Sequence, residues 1–231
     1  LDNVDAVVVP IGGGGLISGV AYAIKTLRPD VKVYGVQSAG APSMLNSLEH
    51  EQITCLEHVQ TIADGIKVKE PGDHTFDLCR QIVTVTDDEV AGAILKLIET
   101  QKLITEGAGA VSVAAVMYDK IPVEGKNVVC ILSGGNIDVT ILSKVIERGL
   151  LKAGRSDTLA IQLEDRPGQL AKVSKLLASL NANVVSVFYD KASEGSNITD
   201  CVLRINIETR DADHIREVHQ ALAENGFSLL D

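Results

Sequence analysis

Val4-Asp5-Ala6-Val7-Val8-Val9-Pro10-Ile11-Gly12-Gly13-Gly14-Gly15-Leu16 decides how the first half of this chain folds. Val4 to Ile11 is a nearly continuous β-branched run, the pattern of a strand buried on both faces. Four consecutive glycines end it, and Leu16 to Leu27 then carries helical spacing. Pro29-Asp30 punctuates the chain before a second strand at Val31 to Val36. Strand, helix and strand within about 35 residues make a βαβ unit, and a parallel sheet follows from it. Further strands are predicted at Gln81 to Val85 and Asn127 to Leu132, with helices at Asp87 to Thr100, after Gly109, and near Asp138 to Leu151. Asp87-Asp88-Glu89 falls at a helix start, where the dipole favours acidic residues. Residues 1–151 read as an α/β domain, a parallel sheet with flanking helices.

Glycine is entropically costly, so four in a row survive where the backbone takes unusual angles or approaches a ligand closely. Successive N–H groups there form an anion nest, reinforced by the positive end of the helix that starts near Leu16. The bland alternative is a flexible strand-to-helix turn. A dinucleotide site requires an acidic residue at the end of the next strand, and that strand ends in Val36-Gln37-Ser38. A P-loop requires Gly-Lys-Ser or Gly-Lys-Thr, whereas Gly15 is followed by Leu16-Ile17-Ser18. A small phosphate ester remains the expected guest.

Beyond the polar stretch Lys152 to Asp157 the pattern changes. Thr158 to Leu163 alternates like a half-buried strand, and Glu164 to Gly168 forms a loop. Gln169 to Leu180 is amphipathic, with Leu170, Val173, Leu176 and Leu177 on one face. Strands follow at Val184 to Tyr189 and Asp200 to Ile207, joined by the polar loop Ser193 to Asn197. A helix at Ala212 to Glu224 and a short strand at Phe227 to Leu230 complete the order β-α-β-β-α-β, the ferredoxin-like split βαβ arrangement. A second domain spanning 158–231 is expected.

The 231 residues carry a formal net charge of −10 with 45% hydrophobic and 23% charged side chains, which excludes a disordered or collagen-like protein. The acidic balance without a basic cluster argues against nucleic acid and membrane surfaces as partners. No apolar run reaches the roughly 18 residues of a transmembrane segment. Cys55, Cys79, Cys130 and Cys201 lack CxxC spacing, so reduced, partly buried thiols in a cytoplasmic protein are expected. His50, His58 and His74 are expected on the surface or in loops, with His214 and His219 on an exposed helix. No metal site is expected. The start at Leu1-Asp2-Asn3-Val4, without Met, reads as a cut inside a larger polypeptide.

Two more clusters sharpen the chemistry: Glu106-Gly107-Ala108-Gly109-Ala110 before a helix, and Ser133-Gly134-Gly135-Asn136 after a strand. Together with Val9 to Leu16 and Ile62-Ala63-Asp64-Gly65, they closely resemble the threonine ammonia-lyase (threonine dehydratase) family of fold-type II pyridoxal-phosphate enzymes. The resemblance covers Leu1 to about Leu151. It implies pyridoxal 5′-phosphate as cofactor, its phosphate held by Gly12, Gly13, Gly14, Gly15 and Leu16. It implies that Ser133 places its hydroxyl at the pyridine nitrogen and that Glu106 lines the site near the ring. The implied reaction is β-elimination of water from L-threonine or L-serine, giving a 2-oxo acid and ammonia. Serine dehydratase or serine racemase shares every motif retained, and a non-catalytic regulatory or binding subunit is the reading from another class. The family's Schiff-base lysine sits in a Ser-Phe-Lys-like motif upstream of the tetraglycine. No such motif occurs here, so the chain alone is expected to be inactive. Where some relatives place acidic cation ligands, this sequence has Gln37 and Ser43.

Leu163 to Leu170, with its Arg166-Pro167-Gly168 core and the βαββαβ order, resembles the ACT domain, a regulatory module of metabolic enzymes. That resemblance implies an amino-acid or nucleotide effector. Independently, Pro167-Gly168 opens the helix tightly, so N–H groups near Pro167, Gly168, Gln169 and Leu170 can face an amino-acid carboxylate, with Asn181 and Asn183 contributing from a neighbouring chain. The bland alternative is a domain that only dimerises through its sheet edge or helices. A homo-oligomer, dimer or tetramer, is the expected assembly.

Overall fold

A computed structural model describes residues 3–76, 78–79, 81–191 and 200–230. The loop expected at Ser193 to Asn197 lies outside the described residues. The chain divides into two compact units, Leu1–Gly149 and Leu150–Asp231.

The first unit runs β1 (Ala6–Pro10), α1 (Gly15–Leu27), β2 (Lys32–Ser38), α2 (Ser43–Glu49), α3 (Asp73–Phe76), β3 (Ile82–Val85), α4 (Asp87–Gln101), α5 (Gly107–Met117), β4 (Val128–Cys130) and α6 (Val139–Lys152). The strands pair in the order β3-β2-β1-β4, all parallel, with Val8 opposite both Tyr34 and Cys130. Every residue of β1 is buried. Ala6 and Val8 pack with Val90, Ile94 and Val111 of α4 and α5. Val7, Val9 and Ile11 pack on the other face with Ile17 of α1 and Met44 of α2. Helices on both faces explain why the strand is apolar at every position rather than at alternate ones.

The expected elements are present, with shifted ends. The helix expected after Gly109 begins at Gly107, where Glu106 is the N-cap. The glycines of its first turn hide its start from a propensity reading. Helices α2 and α3, and a 3₁₀ turn at Asp64–Ile66, were not expected. Segments of seven residues or fewer present too little periodic face to register.

Helix α4 starts with a capping box. The Thr86 hydroxyl accepts from Glu89 N, and the Glu89 carboxylate accepts from Thr86 N at 2.8 Å. Lys120 Nζ lies 2.8 Å from the other Glu89 oxygen. Burial alone would raise the Glu89 carboxyl, but the bonds from Lys120 and Thr86 bring it below the ordinary value of 4.5. A lowered folded pKa gives stability that is present above the unfolded value and is lost as pH falls through the folded one. The urea midpoint of the wild type should therefore drop more steeply below pH 4.5 than that of Glu89→Gln. At pH 7 the variant should cost about 1–3 kcal/mol. Parallel pH profiles for the two proteins would remove Glu89 as the cause.

The second unit runs β5 (Ser156–Glu164), α7 (Gln169–Ser179), β6 (Asn183–Lys191), β7 (Asp200–Glu208), α8 (Ala212–Glu224) and β8 (Ser228–Leu229). Its sheet, ordered β6-β7-β5-β8, is antiparallel throughout. Leu159, Ile161 and Leu163 alternate inward on β5, as do Cys201, Leu203, Ile205 and Ile207 on β7, to meet Val173, Leu177, Val218 and Leu222 of the two helices. Leu170, expected on that apolar face, is instead 41% exposed at the start of α7. His214 is also a correction: it is 1% exposed rather than on a solvated face. Its Nε2 lies 2.8 Å from Leu180 O and its Nδ1 accepts from Arg210 N at 3.1 Å, so the ring ties the end of α7 to the start of α8.

Candidate active site

From β1 the chain proceeds to β2 and β3, then returns to pair β4 on the opposite side of β1. In an open parallel sheet, ligands bind beyond the carboxyl ends of the strands where the strand order reverses. Gly12 to Gly15 follow the end of β1, and Ser133 to Asn136 follow the end of β4, so both predicted loops flank that crevice.

Gly14 is the N-cap of α1 with φ 94° and ψ −5°, a left-handed conformation that favours glycine. The carbonyl of Gly13 accepts from Gly72 N at 3.0 Å and from the Thr75 hydroxyl, which anchors the loop. Among the described residues, no N–H from Gly12 to Leu16 donates to a protein acceptor. A Cβ on Gly13 or Gly15 would meet no atom within 4 Å, so both face free space. Unspent donors at the start of a 13-residue helix, beside open space, fit a phosphate.

Contacts run from this loop to the other two motifs. A Cβ on Gly12 would sit 3.2 Å from Ile66 Cα, and one on Gly65 would sit 3.0 Å from Glu106 Oε1. Gly134 packs on the same carboxylate. Glu106 N donates to Gly134 O at 3.3 Å, and the Thr105 hydroxyl donates to that carbonyl at 2.7 Å. Glu106 is thus seated between Gly65 and Gly134, two residues that leave room for a carboxylate because they have no side chain. It lines a cavity of about 290 Å³ with Ile62, Asp64, Asn136 and Asp138; among the described residues no lysine lines it. Ser133 is half-buried, and its hydroxyl makes no hydrogen bond among the described residues.

Asp138 begins α6. Its carboxylate accepts from the hydroxyl of Thr140 and from the backbone N–H groups of Thr140 and Ile141, which hold its carboxyl below the usual carboxylate range. Burial pushes the Cys130 thiol up to about 11, so it is a protonated filler rather than a nucleophile. All four cysteines are free; Cys79 and Cys201 are buried and Cys55 is exposed. No group of three His, Cys, Asp or Glu is placed to hold a metal among the described residues. Gln37 and Ser43 are fully buried, and Gln37 Oε1 accepts from Leu45 N at 2.9 Å. Gln37 Nε2 and Ser43 Oγ have no partner among the described residues.

The predicted effector residues fall at the two ends of α7. Gly168 is its N-cap with φ 92°, next to exposed Pro167 and Leu170, and Gln169 is its first residue. Asn181 ends the helix in the left-handed region with φ 60°, and the Asn183 amide donates to Glu208 at 2.8 Å. An 11-residue helix is about 16 Å long, so one chain does not bring the two groups together.

Sequence reasoning passed over Asp87, reading it only as a favourable charge on the helix dipole. In the fold its carboxylate accepts from the Thr61 hydroxyl at 2.6 Å and from Ile62 N at 3.1 Å. Nothing local signals a partner 25 or 26 positions away.

Residues 1–134 match the family model described as "Pyridoxal-phosphate dependent enzyme". The chain is 44% identical to the L-threonine ammonia-lyase of Thermotoga maritima over 233 residues, covering 99% of this chain and 58% of that protein. The chain therefore spans a little over half the length of that relative. Among solved structures it resembles the processed threonine deaminase isoform 2 of Solanum lycopersicum, with TM-score 0.60 and 38% identity over 64% of this chain and 45% of that one. It also resembles the serine racemase of Dictyostelium discoideum, with TM-score 0.55 and 34% identity over 60% of this chain and 46% of that one. The matched stretch contains the tetraglycine cradle, the Glu106 seat and the Ser133 turn in one crevice, and the chain belongs to the family of pyridoxal-phosphate dependent enzymes.

Proposed function

We propose that the protein of which these residues form part deaminates L-threonine, and L-serine, by β-elimination of water, giving 2-oxobutanoate or pyruvate and ammonia. The observation that carries this reading is the row of unspent N–H groups from Gly12 to Leu16 beside open space, a fit for the cofactor phosphate. The 44% identity to a protein named L-threonine ammonia-lyase supports the choice of substrate. Bound in this cradle, pyridoxal phosphate supplies an electron sink for bond cleavage at the amino-acid α-carbon. The backbone of Gly12 to Leu16 fixes the phosphate. The Ser133 hydroxyl orients the pyridine nitrogen without keeping it fully protonated as a carboxylate would, which suits loss of a β-hydroxyl over racemisation. Glu106 presents a carboxylate to the cavity wall. No Ser-Phe-Lys-like motif occurs in the 231 residues, so the Schiff-base lysine comes from outside them.

In this reading the second unit is an ACT-type regulatory module. An amino acid or nucleotide binds at Pro167, Gly168, Gln169 and Leu170 of one chain, with Asn181 and Asn183 of a neighbouring chain, in a cytoplasmic homodimer or homotetramer. Serine racemisation is the second reading, favoured by the likeness to the Dictyostelium enzyme.

The test pairs two samples. This chain alone, given pyridoxal 5′-phosphate and L-threonine, should bind the cofactor in competition with inorganic phosphate and release no 2-oxobutanoate. The protein that joins it to the lysine-bearing segment should release 2-oxobutanoate and ammonia. Accumulation of D-serine from L-serine without pyruvate would move the assignment to racemase. No reaction with either amino acid would leave a binding subunit.

A further inference from the structure

We propose that Asp87 is a positioning residue: its carboxylate latches the Thr61–Gly65 segment so that Gly65 and Ile62 form the wall against which Glu106 is seated. Asp87 does not line the Glu106 cavity, so it acts through the segment it holds.

The end of β2 and the Thr61–Ile62 segment meet at this carboxylate, which itself follows β3. Oδ1 accepts from the Thr61 hydroxyl at 2.6 Å and, more weakly, from the Ser38 hydroxyl at 3.4 Å. Oδ2 accepts from Ile62 N at 3.1 Å. The Thr61 oxygen in turn accepts from Ala63 N at 3.1 Å, which passes the constraint one residue further. Ser38 accepts from Gly40 N at 3.2 Å, and Gly40 O accepts from Gln60 N at 2.9 Å, closing the network behind Thr61. Thr61 is only 7% exposed, so these are shielded, charge-assisted bonds rather than a surface contact. Beyond the latch, Ala63 is fully buried, and the chain makes its 3₁₀ turn at Asp64–Ile66. That turn sets Gly65 against the Glu106 carboxylate, while Ile62 O and Ala63 Cα press on Gly107, the first residue of α5. A shift in the segment therefore moves the seat of Glu106 and the start of the helix that carries it.

A merely favourable charge on the α4 dipole would be indifferent to Thr61, which lies outside that helix. The latch makes Thr61 and Asp87 equivalent, and this separates the two roles.

The experiment is hydrogen exchange on the 231-residue chain. Asp87→Asn and Thr61→Val should each speed exchange of the Ile62 and Ala63 amides by about tenfold or more, with the strands β1 and β2 unchanged, as expected when a bond to a charged group is lost from a locally opening segment. Thr61→Ser, which keeps the hydroxyl, should exchange like the wild type. At the Ile62 amide the double variant should be no faster than the quicker single, because both remove the shared Thr61–Asp87 bond. If Asp87→Asn does not fold, Thr61→Val against Thr61→Ser decides. Unchanged exchange in Thr61→Val overturns the latch.

The positioning role rests on the proposed deamination and has its own measurement. In the protein that joins this chain to its lysine-bearing segment, Thr61→Val should lower kcat for L-threonine by about tenfold while KM stays within about twofold, since a displaced catalytic wall acts on the reacting geometry. Faster segment exchange with an unaltered kcat overturns the positioning role. A wild type that does not turn over L-threonine sinks the deamination reading instead, and the exchange result then still decides the latch.

Discussion

Replacing Gly14 by Ala should abolish cofactor binding and destabilise the first unit by about 2–5 kcal/mol. Two independent costs add. At φ 94° an L-residue crowds its own carbonyl, which costs about 1–2 kcal/mol. The new methyl would also lie 2.6 Å from Thr75 Oγ1 and 2.7 Å from Met44 Cε. Met44 is fully buried, so it has little room to retreat, and overpacking of this kind costs about 1–3 kcal/mol. Thr75 is also the residue whose hydroxyl anchors Gly13 O, so relieving the clash by moving it releases the loop.

Gly15→Ala is the informative control for that prediction. A Cβ there meets nothing within 4 Å, and the residue opens α1, so the fold should be unaffected. Its methyl projects into the open space where the phosphate is proposed to sit, and affinity should fall at least tenfold. Thermal unfolding reads the first effect and fluorescence titration with pyridoxal 5′-phosphate reads the second. Equal Tm loss in the two variants would contradict the geometry of the loop, and full cofactor affinity in Gly15→Ala would contradict its role.

The second large effect is in the other unit. Leu203→Ala should cost about 2–5 kcal/mol through lost burial and a residual cavity. Leu203 is fully buried in β7, an inner strand of the sheet, opposite Ile161 on β5 and Tyr189 on β6. It packs in the cluster that holds Val173, Leu177, Val218 and Leu222 of both helices. A unit of about 80 residues has roughly 4–12 kcal/mol to lose, so this one truncation removes a large part of its stability. Its Tm should fall by about 10 °C or more. Hydrogen exchange should show loss of protection from Ser156 to Leu229, with β1 and β2 of the first unit protected as before. A fall below about 3 °C would mean the cluster closes over the gap.

Much of this fold is legible in the residue pattern because burial dictates it. A parallel strand covered on both faces has to be apolar throughout, as Ala6 to Pro10 is. A sheet covered on one face has to alternate, as Thr158 to Leu163 does. Helix α8 has the ends expected, Ala212 to Glu224, and Asp211 caps it in the fold, accepting from His214 N at 2.9 Å. The burial of His214 is not legible locally, since a histidine on a polar helix reads as solvated until Leu180 O and Arg210 N are brought to its two nitrogens. Leu170 differs for another reason: it shares the helical spacing of Val173 and Leu177, but it lies in the first turn of α7, at the exposed end of that face.

The site divides along the same line. The order of the tetraglycine, the Glu106 cluster and the Ser133 turn could be read from the chain because each is a contiguous motif whose backbone demands are local. The sequence by itself also determined the two-part organisation, through the change from continuous to alternating hydrophobicity near residue 156. Only the tertiary structure decided how the motifs act on each other. Gly65 and Gly134 lie 69 residues apart in sequence, yet both press on one carboxylate. Asp87 grips Thr61 and Ile62 because the long connection between β2 and β3 folds back onto the start of α4. Local pattern specifies which face of each element is buried. Which polar atoms then meet depends on strand order and register, and those are fixed only when the sheet assembles.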